Sequence, residues 1–453
     1  MHGIFWRFGL LGLFLLALAG APAQQVANGV VFHDRNRNGI RDAGEPGVPN
    51  VLVSNQREVV KTDVQGRYQL PVNDDTILFV VKPRGWMTPL SEDNVPRFYY
   101  IHKPNGSIRV QYGGAPPTGP LPASVDFPLY PQRESDRYRA LMFGDTQPRD
   151  MTEVFYIGRD VVRELIGTKE AAFGVVLGDV LFDNLSLFPA LTAMMGQIGV
   201  PIYYVLGNHD INFDSPDDQN SDETWHRYFG PNYYAFQWGR AHYIVLDDVV
   251  WSGAQGEQRG RYVAGLGERQ IEFLRNYLSY VNRNDLIVLL MHIPMGEWPD
   301  AERRQVFELL APFPNTLSYS AHTHVQMHRF FGAESGLERA QPPSSYQRGD
   351  GLRELVDGRA RPSRHPAYDD ARRHAERLSV DGCEPQPLSR ALPSRTPPRR
   401  LPNAHLHPRR SRTRSTARDA CAGELLLRLG ALHSGDACGR RRLDPHAAGH
   451  RHA

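Results

Sequence analysis

Five short apolar runs, each broken off by side chains that can hold a metal ion, constrain what residues 138–330 can fold into. Pro201-Ile202-Tyr203-Tyr204-Val205-Leu206 reads as a buried strand. It stops at Gly207, where the backbone can turn tightly, and delivers Asn208, His209 and Asp210. The pattern recurs four times. Ala140 to Gly144 leads to Asp145-Thr146-Gln147, and Phe173 to Gly178 leads to Asp179, with Asp183 and Asn184 following. Leu286 to Met291 leads to His292, and Thr316 to Ala321 leads to His322-Thr323-His324. Amphipathic stretches such as Thr152 to Leu165 and Gly267 to Val281 alternate with these runs, which is the signature of an α/β domain. In such folds, polar groups at the C-terminal ends of strands build the ligand site.

The donors are carboxylate, amide and imidazole, without thiolate, a set suited to Mn, Fe, Zn or similar divalent ions. Their order (Asp-x-Gln, Gly-Asp, Gly-Asn-His-Asp, His, small-His-x-His) resembles the calcineurin-like metallophosphoesterases over residues 138 to 330. The resemblance implies a four-layer α/β sandwich and two ions. Asp145, Gln147, Asp179 and His324 would hold one, and Asp179, Asn208, His292 and His322 the other, with Asp179 bridging. It also implies that His209 protonates the leaving oxygen or stabilises charge there, with Asp210 orienting its imidazole. Gln147 stands where the family pattern has His. A neutral amide oxygen is a weaker donor than imidazole, so the first ion would bind loosely or favour harder metals such as Mn or Mg. Singly, each residue has an ordinary reading: Asp145 or Asp179 as a helix cap, His209 in a turn, His322 in a core. Five ordered motifs together favour metal. Asp183 and Asn184 read as shaping the loop after Asp179. His226, His242 and His328 read as packing or surface residues, and the aromatics from Trp225 to Trp238 as core.

Before this domain the texture differs. Met1 to Ala23 carries Arg7, an apolar run from Phe8 to Ala19 and Ala21-Pro22-Ala23, the layout of a secretory signal peptide. The run is short for crossing about 30 Å of hydrocarbon. A periplasmic or secreted protein without a transmembrane anchor after cleavage is expected. Residues 27–130 hold short alternating runs (29–32, 51–53, 68–72, 77–81) divided by Gly, Pro, Asn and Asp, which predicts a small all-β sandwich. Between its first two strands, Asp34, Asn36, Asn38, Asp42 and Glu45 fall at positions one, three, five, nine and twelve of a loop with Gly39 at six. That is the EF-hand-type calcium pattern set between strands. The competing reading is a polar turn without an ion. The Pro-rich stretch 114–120 begins the passage to the metallophosphoesterase domain, 138–335.

From Leu337 to Ala453 the chain has no Ile, Phe, Trp, Met or Lys, and all three cysteines (Cys383, Cys421, Cys438) lie there. Such a composition cannot bury a core that offsets its ordering entropy. Two explanations stand: a basic unfolded tail, or a reading frame that slips near Gly336. The gene sequence across the codons for Ala333 to Arg339 separates them; an unambiguous open frame matching this text removes the second. The tail holds 23 Arg against 13 acidic residues, so residues 1–336 keep 29 basic and 37 acidic groups, a formal charge of −8. An acidic body does not favour nucleic acid as a partner. The expected function is hydrolysis of phosphate mono- or diesters by a two-metal-activated hydroxide. The alternative is a non-catalytic surface-binding protein that keeps the fold as a scaffold.

Overall fold

The computed structural model describes residues 24–332, apart from 170 and 257, together with the backbone strands Ser344–Gln347 and Leu378–Val380. The leader Met1 to Ala23 and the rest of the tail from Leu337 lie outside the described residues, as do the expectations placed on them.

The N-terminal region is two four-stranded sheets. One has the order β4-β1-β8-β6, formed by β1 (Gln25–His33), β4 (Arg67–Val72), β6 (Trp86–Met87) and β8 (Phe127–Pro131). The other has the order β3-β2-β5-β7, formed by β2 (Leu52–Ser54), β3 (Val59–Lys61), β5 (Thr76–Val80) and β7 (Tyr99–His102). The strands fall on the expected runs; Arg67–Val72 alternates inward and outward, whereas Gly29 to Phe32 and Thr76–Val80 are buried on both faces.

Two further sheets follow. β9 (Tyr138–Phe143), β10 (Ala171–Leu177) and β11 (Ile202–Val205) run parallel, and β20 (Leu378–Val380) closes the β9 edge antiparallel. The second sheet has the order β12-β13-β16-β17-β19-β18, from β12 (Tyr234–Trp238), β13 (Ala241–Val245), β16 (Leu286–Leu290), β17 (Thr316–Ser320), β18 (Met327–Phe330) and β19 (Ser344–Gln347). Its four inner strands are parallel and its two edges antiparallel. A separate hairpin pairs β14 (Val249–Trp251) with β15 (Tyr262–Ala264). Strands such as Ile202–Val205 and Ala241–Val245 are buried along their whole length, as expected where both faces of a sheet are covered. The two sheets meet through aromatic rings. Phe173 packs edge-on to Phe236 and Tyr243 at 5.4 and 5.1 Å between centroids, and Tyr203 stacks on Phe236 at 3.8 Å. Helices Met151–Ile157 and Phe188–Gly196 accompany the first sheet, and Gly267–Leu278 and Asp300–Leu310 the second, completing a helix–sheet–sheet–helix sandwich. Among the described residues no helix is long and apolar enough to cross a membrane.

The N-terminal sheets do not hang on a linker. One hydrophobic core runs from Ala27 to Phe331 across both regions. Phe79 meets Phe273 of the helix Gly267–Leu278 at 5.8 Å, and Phe98 meets Tyr234 at 4.8 Å. The Pro-rich stretch packs instead of spanning a gap: Ala115 is buried and the Gly113 carbonyl accepts the Thr224 hydroxyl at 2.9 Å.

Candidate metal centre

All five ligand-bearing loops leave the C-terminal ends of parallel strands: Asp145 after β9, Asp179 after β10, Asn208 after β11, His292 after β16 and His322 after β17. Two sheets with parallel inner strands, packed face to face, therefore present these side chains at one edge. The turns that achieve this are tight. Of the ten non-glycine residues with positive φ among those described, six belong to this site: Asp145, Gln147, Asp179, Asp183, His322 and His324. Left-handed backbone at non-glycine residues costs on the order of 1–2 kcal/mol each, and persists where surrounding structure fixes it. Gly178 and Gly207 are required for a different reason. A Cβ on Gly178 would lie 2.4 Å from His292 Nδ1, and one on Gly207 only 2.0 Å from the Asp179 amide nitrogen.

At the centre, Asp179, His292 and His322 bring one ligand atom each within 4.8 Å of one another. His292 Nε2 lies 3.2 Å from Asp179 Oδ1, 3.0 Å from Asn208 Oδ1 and 3.2 Å from His322 Nδ1. The other ring nitrogen, Nδ1, faces the Leu177 carbonyl at 2.9 Å, which fixes the ring and directs Nε2 inward. Asp145, Gln147 and His324 stand beside this cluster in a looser group. His324 Nε2 is 3.8 Å from Asp145 Oδ1, and the Asp145 carboxylate accepts the His322 backbone N–H at 3.1 Å. The Gln147 side-chain N–H donates to Asp179 Oδ2 at 2.5 Å; with an ion bound there, the amide would present its oxygen instead, a rotation that exchanges near-identical atoms.

The buried charges of this cluster shift one another. Burial alone would raise the Asp179 carboxyl, but His292 and His209 beside it hold it below the usual range. Burial would lower His292, yet Asp179 lifts it to about 10. His322 moves the other way: burial, reinforced by the neighbouring His292, takes it down to about 4. A proton on His292 thus occupies the gap between the ligand atoms, and a divalent ion would displace it, leaving two neutral imidazoles as donors. The residues present fit the mixed nitrogen and oxygen set expected of a borderline metal.

His209 sits beside this cluster, about a quarter exposed. Its backbone N–H donates to Asp179 Oδ1 at 2.9 Å and its ring stacks on Phe182 at 4.3 Å. The expected partner of its imidazole requires correction. Asp210 turns away: its two oxygens accept the backbone N–H groups of Val180, Leu181 and Gly207 at 2.9–3.0 Å. Fully buried, with Asp179 nearby, its carboxyl is raised to about 7. It staples the Asp179 loop to the Asn208 loop. The residue that holds His209 is Asp183, whose Oδ1 meets Nδ1 at 2.6 Å. Burial lowers His209, and Asp183 and Asp179 more than reverse this, so the net shift is upward.

Asp248 went unread in the sequence. It is fully buried, accepts the His292 and Ile293 backbone N–H groups at 3.2 and 3.1 Å, and takes the Trp298 indole N–H at 2.9 Å. Tyr243 to Leu246 followed by Asp247-Asp248 is the same strand-then-carboxylate signal as at the ligand loops.

In the N-terminal region, Asp34 accepts the backbone N–H groups of Asn38 and Gly39 at 3.2 and 2.9 Å, while Glu45 accepts those of Arg35 and Asp42 at 2.7 and 3.0 Å. The Asn36 and Asn38 amides converge on Asp42 Oδ2 at 2.7 and 2.9 Å. The first and last residues of the loop thus fold it around its polar side chains.

Comparison with known proteins follows this geometry. The family model for calcineurin-like phosphoesterase matches residues 138–326, and the model for the N terminal of calcineurin-like phosphoesterase matches residues 35–112. No curated protein matches the sequence. A purple acid phosphatase from yellow lupin (Lupinus luteus) seeds is similar at 12% identity and a TM-score of 0.36, over 66% of this chain and 59% of that one. PhoD is similar at 10% identity and a TM-score of 0.36, over 72% and 76% of the two chains. A dimetal phosphatase from Danio rerio is similar at 15% identity and a TM-score of 0.33, over 46% and 86%. The chain therefore spans about three-fifths of the lupin enzyme's length. The two family models lie in order along the sequence and together take in more than half of it, and the chain belongs to the calcineurin-like phosphoesterases.

Proposed function

We propose that this chain is an exported, metal-dependent phosphoesterase that hydrolyses phosphate mono- or diesters. The observation that carries the reading is the convergence of Asp179, Asn208 and His322, from three separate loops, to within 3.0–3.2 Å of Nε2 of His292 on a fourth. Those four residues would hold one divalent ion, and Asp145, Gln147, His324 and the shared Asp179 a second. A pair of such ions supplies an activated water and Lewis acidity toward the phosphoryl oxygens. The chain's own groups do the rest. His209 is held with its ring nitrogen on Asp183 and its upward-shifted pKa keeps a proton available for the leaving oxygen. Asp210 fixes the spacing of the two loops that carry Asp179 and Asn208. Asp248 sets the backbone of His292. Export, by way of the leader at Met1 to Ala23, would place the protein in the periplasm or outside the cell.

Hydrolysis of p-nitrophenyl phosphate and of its bis ester, with Mn added, tests this reading. His209→Ala is expected to lower kcat by about 10²–10⁴-fold, the usual contribution of general acid catalysis. Equal and negligible turnover by the parent and the variant would favour the scaffold reading.

We further propose that the loop from Asp34 to Glu45 would hold a calcium ion, the Asn36 and Asn38 amides turning their oxygens inward by a rotation that exchanges near-identical atoms. Millimolar calcium is expected to raise the melting temperature of the parent by several degrees, as a ligand well above its Kd does. Glu45→Gln should remove that increment. A parent whose melting temperature is indifferent to calcium would make the loop an ordinary turn.

A further inference from the structure

The hairpin of β14 and β15 belongs to none of the metal motifs, yet it leans over the candidate centre. Tyr262 at the start of β15 packs edge-on against the His322 ring at 6.1 Å. From the turn of the same hairpin, Arg259 places its guanidinium carbon 3.9 Å from the Phe213 ring centroid, and Phe213 in turn meets Trp251 edge-on at 5.5 Å. The end of that guanidinium comes to 3.8 Å from Asp183 Oδ2, beyond hydrogen-bond distance, while Asp183 Oδ1 is engaged with His209. Arg259 therefore stands one carboxylate away from the imidazole, with its side chain 61% exposed.

An exposed ion pair at this separation contributes little stability, so the pair does not account for the placement. A guanidinium held over an aromatic ring, 61% exposed and beside the candidate centre, can instead receive phosphate oxygens in bidentate fashion. The need for such a cation is plain, because residues 1–336 carry a formal charge of −8 and the substrate is an anion. The N-terminal region buttresses the same rim. The Gln111 backbone N–H donates to Asp214 Oδ2 at 2.7 Å, next to Phe213.

We propose that Arg259 is a substrate-binding residue that grips the non-bridging oxygens of the phosphoryl group. This rests on the phosphoesterase reading above, and inorganic phosphate serves as the probe. In Mn-loaded protein, Arg259→Ala is expected to weaken phosphate binding, measured by calorimetry, by about tenfold, the low end for a charge-assisted hydrogen bond. Arg259→Lys should recover part of it. With p-nitrophenyl phosphate the same loss should appear in KM and in the inhibition constant of phosphate more than in kcat, at an unchanged melting temperature. Phosphate binding by Arg259→Ala within twofold of the parent overturns the proposal. A fall in kcat alone also overturns it, since that would make Arg259 a prop for Asp183. A parent that binds phosphate through Arg259 but hydrolyses nothing would instead sink the phosphoesterase reading and leave this one standing.

Discussion

Asp179→Asn is expected to lower phosphate-ester hydrolysis on the order of a thousandfold or more, because in the proposed site one carboxylate would serve both ions. The substitution keeps the volume and removes the charge. Oδ1 of Asp179 reaches His292 at 3.2 Å and accepts the His209 N–H at 2.9 Å, while Oδ2 takes the Gln147 amide at 2.5 Å. Without that negative charge His292 loses the partner that lifts it to about 10, and the candidate group Asp179–His292–His322 loses its carboxylate. The fold should survive, because His292 can shed its proton once Asp179 no longer raises it, so no buried charge is stranded. Metal content by mass spectrometry should fall together with activity. A variant that keeps its full metal complement and stays within tenfold of parental activity would contradict this assignment.

The second large effect is expected far from the site. Lys82→Ala should destabilise the protein by about 3–5 kcal/mol, the cost of leaving one partner of a buried ion pair alone. Lys82 and Glu134 are 2% and 1% exposed and 2.6 Å apart. The same ammonium donates to the Gln237 carbonyl at 2.8 Å and lies 4.7 Å over the Trp238 ring. Burial pulls the Lys82 pKa down and Glu134 opposes this. The backbone of Lys82 bridges Phe236 of β12, so the pair pins the N-terminal sheets to the phosphoesterase sheets. A lower urea midpoint at unchanged m-value would register the loss. The double replacement Lys82→Met with Glu134→Leu should lie much nearer the parent, because no charge is stranded. A loss below 1 kcal/mol for Lys82→Ala would show that the pair carries no such weight.

What could be read from the sequence, and what could not, divides along physical lines. Apolar runs ending in Asp145, Asp179, Asn208, His292 and His322 were legible because parallel strands all open at the same edge, so strand-end position alone brings their side chains together. The direction of a side chain at a turn is not encoded that way. Asp210 follows His209 in sequence, but the turn carries it back to the amides of Val180 and Leu181, and the imidazole finds Asp183 from the neighbouring loop. Non-glycine residues with positive φ leave no mark in a sequence, so the strain gathered at this site emerged only in the structure. Nor does Lys82 announce its partner. Glu134 lies 52 residues away, and the alternation that marks the β-sandwich says nothing about what its outer face covers.

The central claim is that groups from five loops close around a pair of cations. Anomalous diffraction from crystals grown with Mn tests it most directly. Two peaks are expected, one bounded by Asp179, Asn208, His292 and His322 and the other by Asp145, Gln147, Asp179 and His324. Full Mn occupancy elsewhere on the protein, with no peak between Asp179 and His292, would contradict it.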